Sequence, residues 1–176
     1  MPRMSVPSFL LRKLSVLIAN GFCLGNARYA SGTVGSLLGI PLVFAISSLQ
    51  GRLGWQIGIC AVLVVLAIVV CDIAERHYGK KDDGRIVADE YLLLPIGFLD
   101  RGNLWAALTG GQTKEVLILL AVGFAIARAV DILKPSPARQ IQAVKGGLGV
   151  VLDDLVASLY TWILLWGLSR YLPAIG

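Results

Sequence analysis

Charge is what this chain has least of. Asp, Glu, Lys and Arg make up 15% of its 176 residues, against about 25% in an ordinary soluble domain. Histidine is nearly absent: His77 stands alone, and without a second His or a Cys partner it excludes a zinc centre. Cysteine is sparse too. Cys23, Cys60 and Cys71 are odd in number and show no Cys-x-x-Cys spacing. That excludes a disulfide framework and predicts free thiols packed as small apolar side chains. There is no internal repeat and no low-complexity linker, and the length suits one domain. No segment interleaves basic residues with aromatics as a nucleic-acid surface would, so no nucleic acid is expected as a partner.

What the chain does have is apolar surface. Apolar residues reach 56%, above the usual range of roughly 45–50%, and both departures point to a membrane. The net charge of +5 then reads as cytoplasmic loops facing anionic headgroups. Four stretches are candidate spans: Val34 to Leu49, Trp55 to Val70, Val116 to Val130 and Leu155 to Leu168. A helix crossing the hydrocarbon needs about 20 apolar residues, so several need their flanks. The turn "QGRLG" joins the first two as a hairpin. A fifth stretch, "YLLLPIGFL" over 91–99, is broken by Pro95 and Gly97. It predicts a re-entrant piece, or a broken helix with Trp105 to Leu108, of the kind tolerated where backbone is buried in protein. Arg3, Arg12 and Lys13 precede the apolar stretch Leu14 to Leu24, which Asn20 and Gly21 interrupt with no small-x-small site following. It reads as an uncleaved interfacial segment rather than a signal peptide. The expected fold is therefore all-α: a polytopic helical membrane protein of about four to five apolar helices, broken or re-entrant near 91–108. It forms one integral membrane domain over 1–176, with the interfacial segment over 1–30. Basic residues place the N-terminus, the segment holding Arg76, Lys80, Lys81 and Arg85, and the segment holding Lys134, Arg139 and Lys145 on the inner side.

The few acids are unevenly placed. Of eleven, only Asp100 and Glu115 lie away from those inner segments, and three clusters stand out: "DDGRIVADE", "RAVDILKP" and "VVLDDL". Each adjoins an apolar segment, where a carboxylate costs several kcal/mol and usually serves function. Clusters that meet would repel, and a divalent cation would remove the repulsion. Mg2+ takes oxygen ligands, often one or two carboxylates with substrate phosphate. "SGTVGS", 31–36, begins where a helix begins and offers backbone N–H groups to an anion; "KGGLG", 145–149, is a second glycine-rich entry. Arg128, Asp131 and Lys134 share one side of a helix, which Pro135 ends. Each feature has a plain structural alternative. "SGTVGS" serves equally as an N-cap with close helix packing, Asp82 and Asp83 as a solvated turn before Gly84, and Arg128 with Asp131 as an intrahelical ion pair.

Together, in order, these blocks resemble the bacterial phosphatidylglycerophosphatase A family. Its pattern reads roughly P-G-T-x-G-S, D-x-x-x-I-V-x-D-E, F-R-x-x-D-x-x-K-P-x-P-I and H-G-G-x-G-I-M-x-D-D. The match runs from 31 to 154, about two thirds of the chain. The resemblance implies a Mg2+-dependent lipid phosphatase of the bacterial inner membrane, acting at the cytoplasmic face in phospholipid biosynthesis. It would convert phosphatidylglycerol phosphate to phosphatidylglycerol and inorganic phosphate. It implies Asp82, Asp89, Glu90, Asp131, Asp153 and Asp154 as catalytic and metal-holding residues. It implies Thr33, Gly35, Ser36, Arg128, Lys134, Lys145, Gly146 and Gly147 as phosphate-binding residues. Ser31 departs from the family's Pro, Lys145 from its His, and Ser136 from a common Trp. Lys has a reference pKa of about 10.4 against about 6.5 for His, so Lys145 does not replace a proton-transferring His simply.

The expected chemistry is metal-assisted hydrolysis of a phosphomonoester. Activated water and an aspartyl nucleophile are both open, and no Cys, Ser–His or His–His pair offers another. Two rivals stand beside it. Intramembrane acids with broken helices also describe an ion or small-solute transporter, and paired charges describe a non-catalytic scaffold. A phosphatase of a different lipid phosphate is a further alternative. The oligomeric state is left open.

Overall fold

The structure is a computed structural model, and it describes residues 9–49, 51–133, 136 and 146–171. Those residues form helices joined by turns, with no strand among them. In chain order they are α1 (Phe9–Ala19), α2 (Ser31–Ser36), α3 (Gly39–Ser47), α4 (Leu53–Tyr78), α5 (Ala88–Leu93), α6 (Leu104–Thr109), α7 (Thr113–Leu133) and α8 (Gly147–Ser169). Three of these, α4, α7 and α8, are long and apolar enough to cross a bilayer. Leu53–Tyr78 overruns the expected Trp55 to Val70 at both ends, because Asp72, Glu75 and Arg76 continue the helix beyond its apolar run. Asp72 and Arg76 pair across one turn at 2.6 Å, an i,i+4 contact that supports helix. Their apolar outer faces stay exposed, as Trp55, Ile57, Val62 and Val65 show on α4. The chain is a helical membrane protein.

The expected first span does not form as one straight helix. Pro41 has no N–H to give Leu37, so the Leu37 carbonyl accepts from Ile40 N–H at 3.1 Å instead, a tighter 3-10 step. The result is a kinked apolar pair, α2 and α3, spanning Ser31–Ser47. At 1.5 Å per residue it reaches about 25 Å, short of a hydrocarbon core about 30 Å thick.

The broken segment sits at the centre. α5 runs into a 3-10 helix, Leu94–Phe98, and Ala88, Leu92, Leu93, Ile96 and Phe98 are all buried. α3, α4 and α8 pack around it. Trp162 donates its indole N–H to the Leu99 carbonyl at 3.1 Å, and Tyr91 OH donates to the Ile18 carbonyl at 3.0 Å. These bonds satisfy polar groups that hydrocarbon would leave unpaired. α6 is a separate short helix, capped by the Asn103 side chain accepting from Ala106 N–H at 3.0 Å. α1 lies across α4 and leaves Phe9, Leu10, Leu11, Leu14 and Leu17 exposed. Cys60 and Cys71 are buried free thiols, and Cys23 is an exposed one.

α8 approaches α4 backbone to backbone at its first residue. A Cβ on Gly147 would strike the Ile68 carbonyl and lie 2.5 Å from the Asp72 nitrogen. Gly147→Val is therefore expected to destabilise the detergent-purified protein by about 1–3 kcal/mol or more, as overpacking does. Gly58→Ala on the same helix α4, with nothing within 4 Å of the added atom, is expected to be neutral or to stabilise by about 0.5–1 kcal/mol. Thermal unfolding followed by circular dichroism checks both, and equal responses would contradict the close α4–α8 packing.

Candidate active site

The site is built on the turn after α4. Gly79, at φ 68°, ends that helix and donates its N–H to the Glu75 carbonyl at 2.8 Å. Asp82 follows in the left-handed region at φ 49°, a conformation Asp tolerates better than bulkier residues. Glu75 Oε1 holds it there by accepting Asp82 N–H at 2.8 Å. Ser31 Oγ donates to the Gly84 carbonyl at 2.7 Å, tying the turn to α2. Ile86 and Val87 are buried, and Val87 N–H donates to the Ala19 carbonyl at 2.8 Å. That apolar anchor drives the chain back into the bundle and starts α5 with Asp89 and Glu90 in its first turn. Negative charge is favoured there by the helix dipole, which offsets part of the cost of burial.

α8 brings Asp153 and Asp154, both buried, and α7 brings Asp131. One cavity of about 260 Å³ is lined by Asp82, Asp89, Glu90, Asp131, Asp153 and Asp154 together. Ser31, Gly32, Gly84, Ile86, Ile132 and Val150 complete its wall. A smaller cavity of about 30 Å³ adjoins it through Glu90, Asp131 and Asp154, and adds Ser36, Arg128 and Ser158. Burial first, and then the neighbouring Glu90, Asp82 and Asp153, push the Asp89 carboxyl well above its ordinary value. Burial also raises Glu90, outweighing the opposing pull of Arg128.

Arg128 Nη1 sits 2.9 Å from Glu90 Oε2, 3.2 Å from Asp131 Oδ2 and 3.2 Å from Ser36 Oγ. The i,i+3 pairing of Arg128 with Asp131 expected from spacing is present. Ser36 Oγ lies 2.6 Å from Glu90 Oε2 and 2.8 Å from the Gly32 carbonyl, and its single proton serves one of them at a time. Asp83 belongs elsewhere. Expected to face solvent, it is buried, and Arg85 grips it through Nε at 2.7 Å and Nη2 at 3.1 Å. That bidentate pair holds the Asp83 carboxyl below its ordinary value.

The glycine-rich blocks divide. Ser31 and Gly32 line the large cavity, whereas Thr33 does not and Gly35 packs on Val87. Gly146 and Gly147 face α4 instead: Gly147 N–H lies 3.5 Å from Asp72 Oδ1, and Gly146 shares a surface hollow with Asp72 and Lys80. Lys134 and Lys145 lie outside the described residues. Sequence reasoning passed over Ser31 as a site residue, and Glu75. The signal for Glu75 was its place in the last turn of a helix that leads directly into the acidic turn.

The oxygen-rich walls suit a hard divalent cation. Asp89 Oδ1 is buried with no hydrogen-bond partner among the described residues, the kind of orphaned acceptor that an ion satisfies. No three acids among the described residues are already gathered at one metal-sized point. The cavity instead leaves room for an ion with waters and a phosphate, the way Mg2+ is commonly held. The residues present fit such an ion.

The phosphatidylglycerophosphatase A family model matches residues 17–169, across every element that lines the cavity. The chain belongs to the phosphatidylglycerophosphatase A family. It is 29% identical over 160 residues to phosphatidylglycerophosphatase A of Escherichia coli K12, covering 89% of this chain and 84% of that protein. It is 30% identical over 168 residues to phosphatidylglycerophosphatase A of Haemophilus influenzae, covering 92% and 96%. A Bacteroides thetaiotaomicron protein named "Putative phosphatidylinositol-3-phosphatase" is 32% identical over 166 residues, covering 92% and 95%. No solved structure matches the chain. Membership of the phosphatidylglycerophosphatase A family makes this membrane protein a phosphatase.

The raised folded-state values of Asp89 and Glu90 fix the sign of a pH effect. The unfolded chain releases these protons near about pH 4, and the folded chain holds them to higher pH. Stability in EDTA is therefore greatest in acid and is lost as pH rises through the folded-state values. The thermal midpoint in EDTA is expected to fall from about pH 5 to about pH 8, and Asp89→Asn, which has no proton to lose, to flatten that fall. A rising midpoint, or an unchanged slope in the variant, would contradict burial as the cause.

Proposed function

We propose that the chain hydrolyses phosphatidylglycerol phosphate to phosphatidylglycerol and inorganic phosphate, with Mg2+ as cofactor, at the cytoplasmic face of a bacterial inner membrane in phospholipid biosynthesis. One observation carries this reading: six carboxylates from four separate segments line a single cavity in an otherwise apolar bundle. Asp82, Asp89, Asp153 and Asp154 are the residues to hold an ion, and Asp131 and Glu90 stand beside them. When bound, Mg2+ supplies charge neutralisation for the phosphate and a lower pKa for water.

The chain's own residues set the rest. Ser31 and Gly32 form the rim on which phosphate oxygens lie. A carboxylate of the cavity can take the attacking water's proton and pass it to the leaving oxygen. Water attacks phosphorus in line, the ester P–O bond breaks, and the lipid leaves as the alcohol with a proton on its oxygen. The buried side chains of Ile86 and Val150 form an apolar wall beside these groups, and low polarity there strengthens charge interactions. The acyl chains stay in the bilayer while the headgroup enters the cavity.

A second substrate, phosphatidylinositol 3-phosphate, is favoured by the Bacteroides relative's name. Purified protein is expected to release phosphate fastest from phosphatidylglycerol phosphate. Slower release is expected from phosphatidic acid, lysophosphatidic acid and phosphatidylinositol 3-phosphate, and EDTA is expected to stop all of it. Faster release from another lipid would reassign the substrate, EDTA resistance would remove the ion, and ion flux without phosphate release would favour transport.

A further inference from the structure

We propose that Glu90 is a positioning residue that acts through Arg128, and that it does not ligate the ion. The inference rests on the hydrolase reading above and divides the six acids into two sets. Glu90 Oε2 already has two partners, Ser36 Oγ at 2.6 Å and Arg128 Nη1 at 2.9 Å. Its other oxygen, Oε1, packs against Gly32, where an added Cβ would collide with it. Oε2 is thus taken up by Arg128 and Ser36, and Oε1 lies against the Gly32 wall. Asp89, the adjacent residue, differs in kind: its Oδ1 is buried and unpartnered among the described residues.

The geometry gives Glu90 another task. Arg128 Nη1 faces three acceptors, Glu90, Asp131 and Ser36, and has two protons for them. That over-supply fixes the guanidinium plane from one corner. Its Nε, elsewhere on the fork, is buried with no partner among the described residues. A guanidinium anchored at one nitrogen and unsatisfied at another is set to donate to an oxyanion, and its planar fork makes the orientation matter. Arg128 lines the small cavity that adjoins the acid cavity. Its volume of about 30 Å³ suits one water or one phosphate oxygen. Glu90 therefore serves the phosphate by aiming Arg128, and the ion falls to Asp82, Asp89, Asp153 and Asp154. Gly32 has a matching role: only a residue without Cβ lets Glu90 lie where it reaches Arg128.

The test compares ion binding with phosphate handling in the full-length protein in detergent. Mn2+ affinity is measured by electron paramagnetic resonance for wild type, Asp89→Asn and Glu90→Gln. Asp89→Asn is expected to weaken Mn2+ binding tenfold or more and Glu90→Gln less than threefold. In kinetics, Glu90→Gln is expected to lower kcat/KM at least tenfold with its Mn2+ activation constant unchanged. Arg128→Lys should do the same, and the double variant should be no worse than Arg128→Lys alone, because both changes remove one function. Ser36→Ala, which removes a neutral bond from the same oxygen, gives a smaller effect of the same kind and stands in if Glu90→Gln does not fold. Mn2+ loss in Glu90→Gln equal to that in Asp89→Asn, or multiplying effects in the double variant, would overturn the proposal. A wild type that binds Mn2+ and releases no phosphate would sink the hydrolase reading and leave the Mn2+ comparison to decide Glu90. A wild type that binds no Mn2+ would overturn both.

Discussion

Carboxylates brought together out of water repel one another and resist ionisation, and three helices of this protein bring five of them to one place. α5 supplies Asp89 and Glu90, α7 supplies Asp131, and α8 supplies Asp153 and Asp154; the turn before α5 adds Asp82. Burial raises the Asp89 and Glu90 carboxyls, and neighbouring acids add to the rise. Nothing in the packing of the bundle requires that crowding. An apolar core would be more stable with neutral side chains at these positions, and acids so placed usually serve function.

Much of the architecture can be understood as the means of holding them. Val87, buried and bonded to the Ala19 carbonyl, pins the start of α5. The 3-10 continuation through Pro95 and Gly97 lets the chain turn inside the bundle, with Gly97 close against Thr161 of α8. Arg128 neutralises Glu90 and Asp131 from a single nitrogen. Glu75 and Ser31 hold the acidic turn through backbone groups. Asp89 Oδ1 is buried without a hydrogen-bond partner among the described residues, and the proposed divalent ion is its natural counter-charge.

The sequence makes the fold class legible because composition and long apolar runs are direct physical signals. The convergence of the acids is legible for the same reason: charge beside apolar helix ends is costly, and three such clusters need one another. What periodicity did not show was local. Pro41 turned an expected span into the kinked Ser31–Ser47 pair, a consequence of one missing N–H. Asp83 looked like the solvated member of an acidic pair, yet Arg85 two residues on folds back to grip it. "SGTVGS" read as an anion cradle along its length, whereas its rim is Ser31 and Gly32, and Gly35 and Ser36 face Val87 and Glu90. Side-chain direction on so short a helix depends on what packs behind it, which spacing alone does not carry. Gly146 and Gly147 likewise serve the α4–α8 approach, and the expected roles of Lys134 and Lys145 fall outside the described residues.

The proposed link between buried charge and a bound cation is tested most directly by an anomalous difference map from crystals of the protein soaked in Mn2+. The expected result is a peak inside the cavity of Asp82, Asp89, Asp153 and Asp154, at about 2.1 Å from Asp89 Oδ1. A cavity without a peak, with Asp89 Oδ1 instead hydrogen-bonded to a neutral partner, would contradict it.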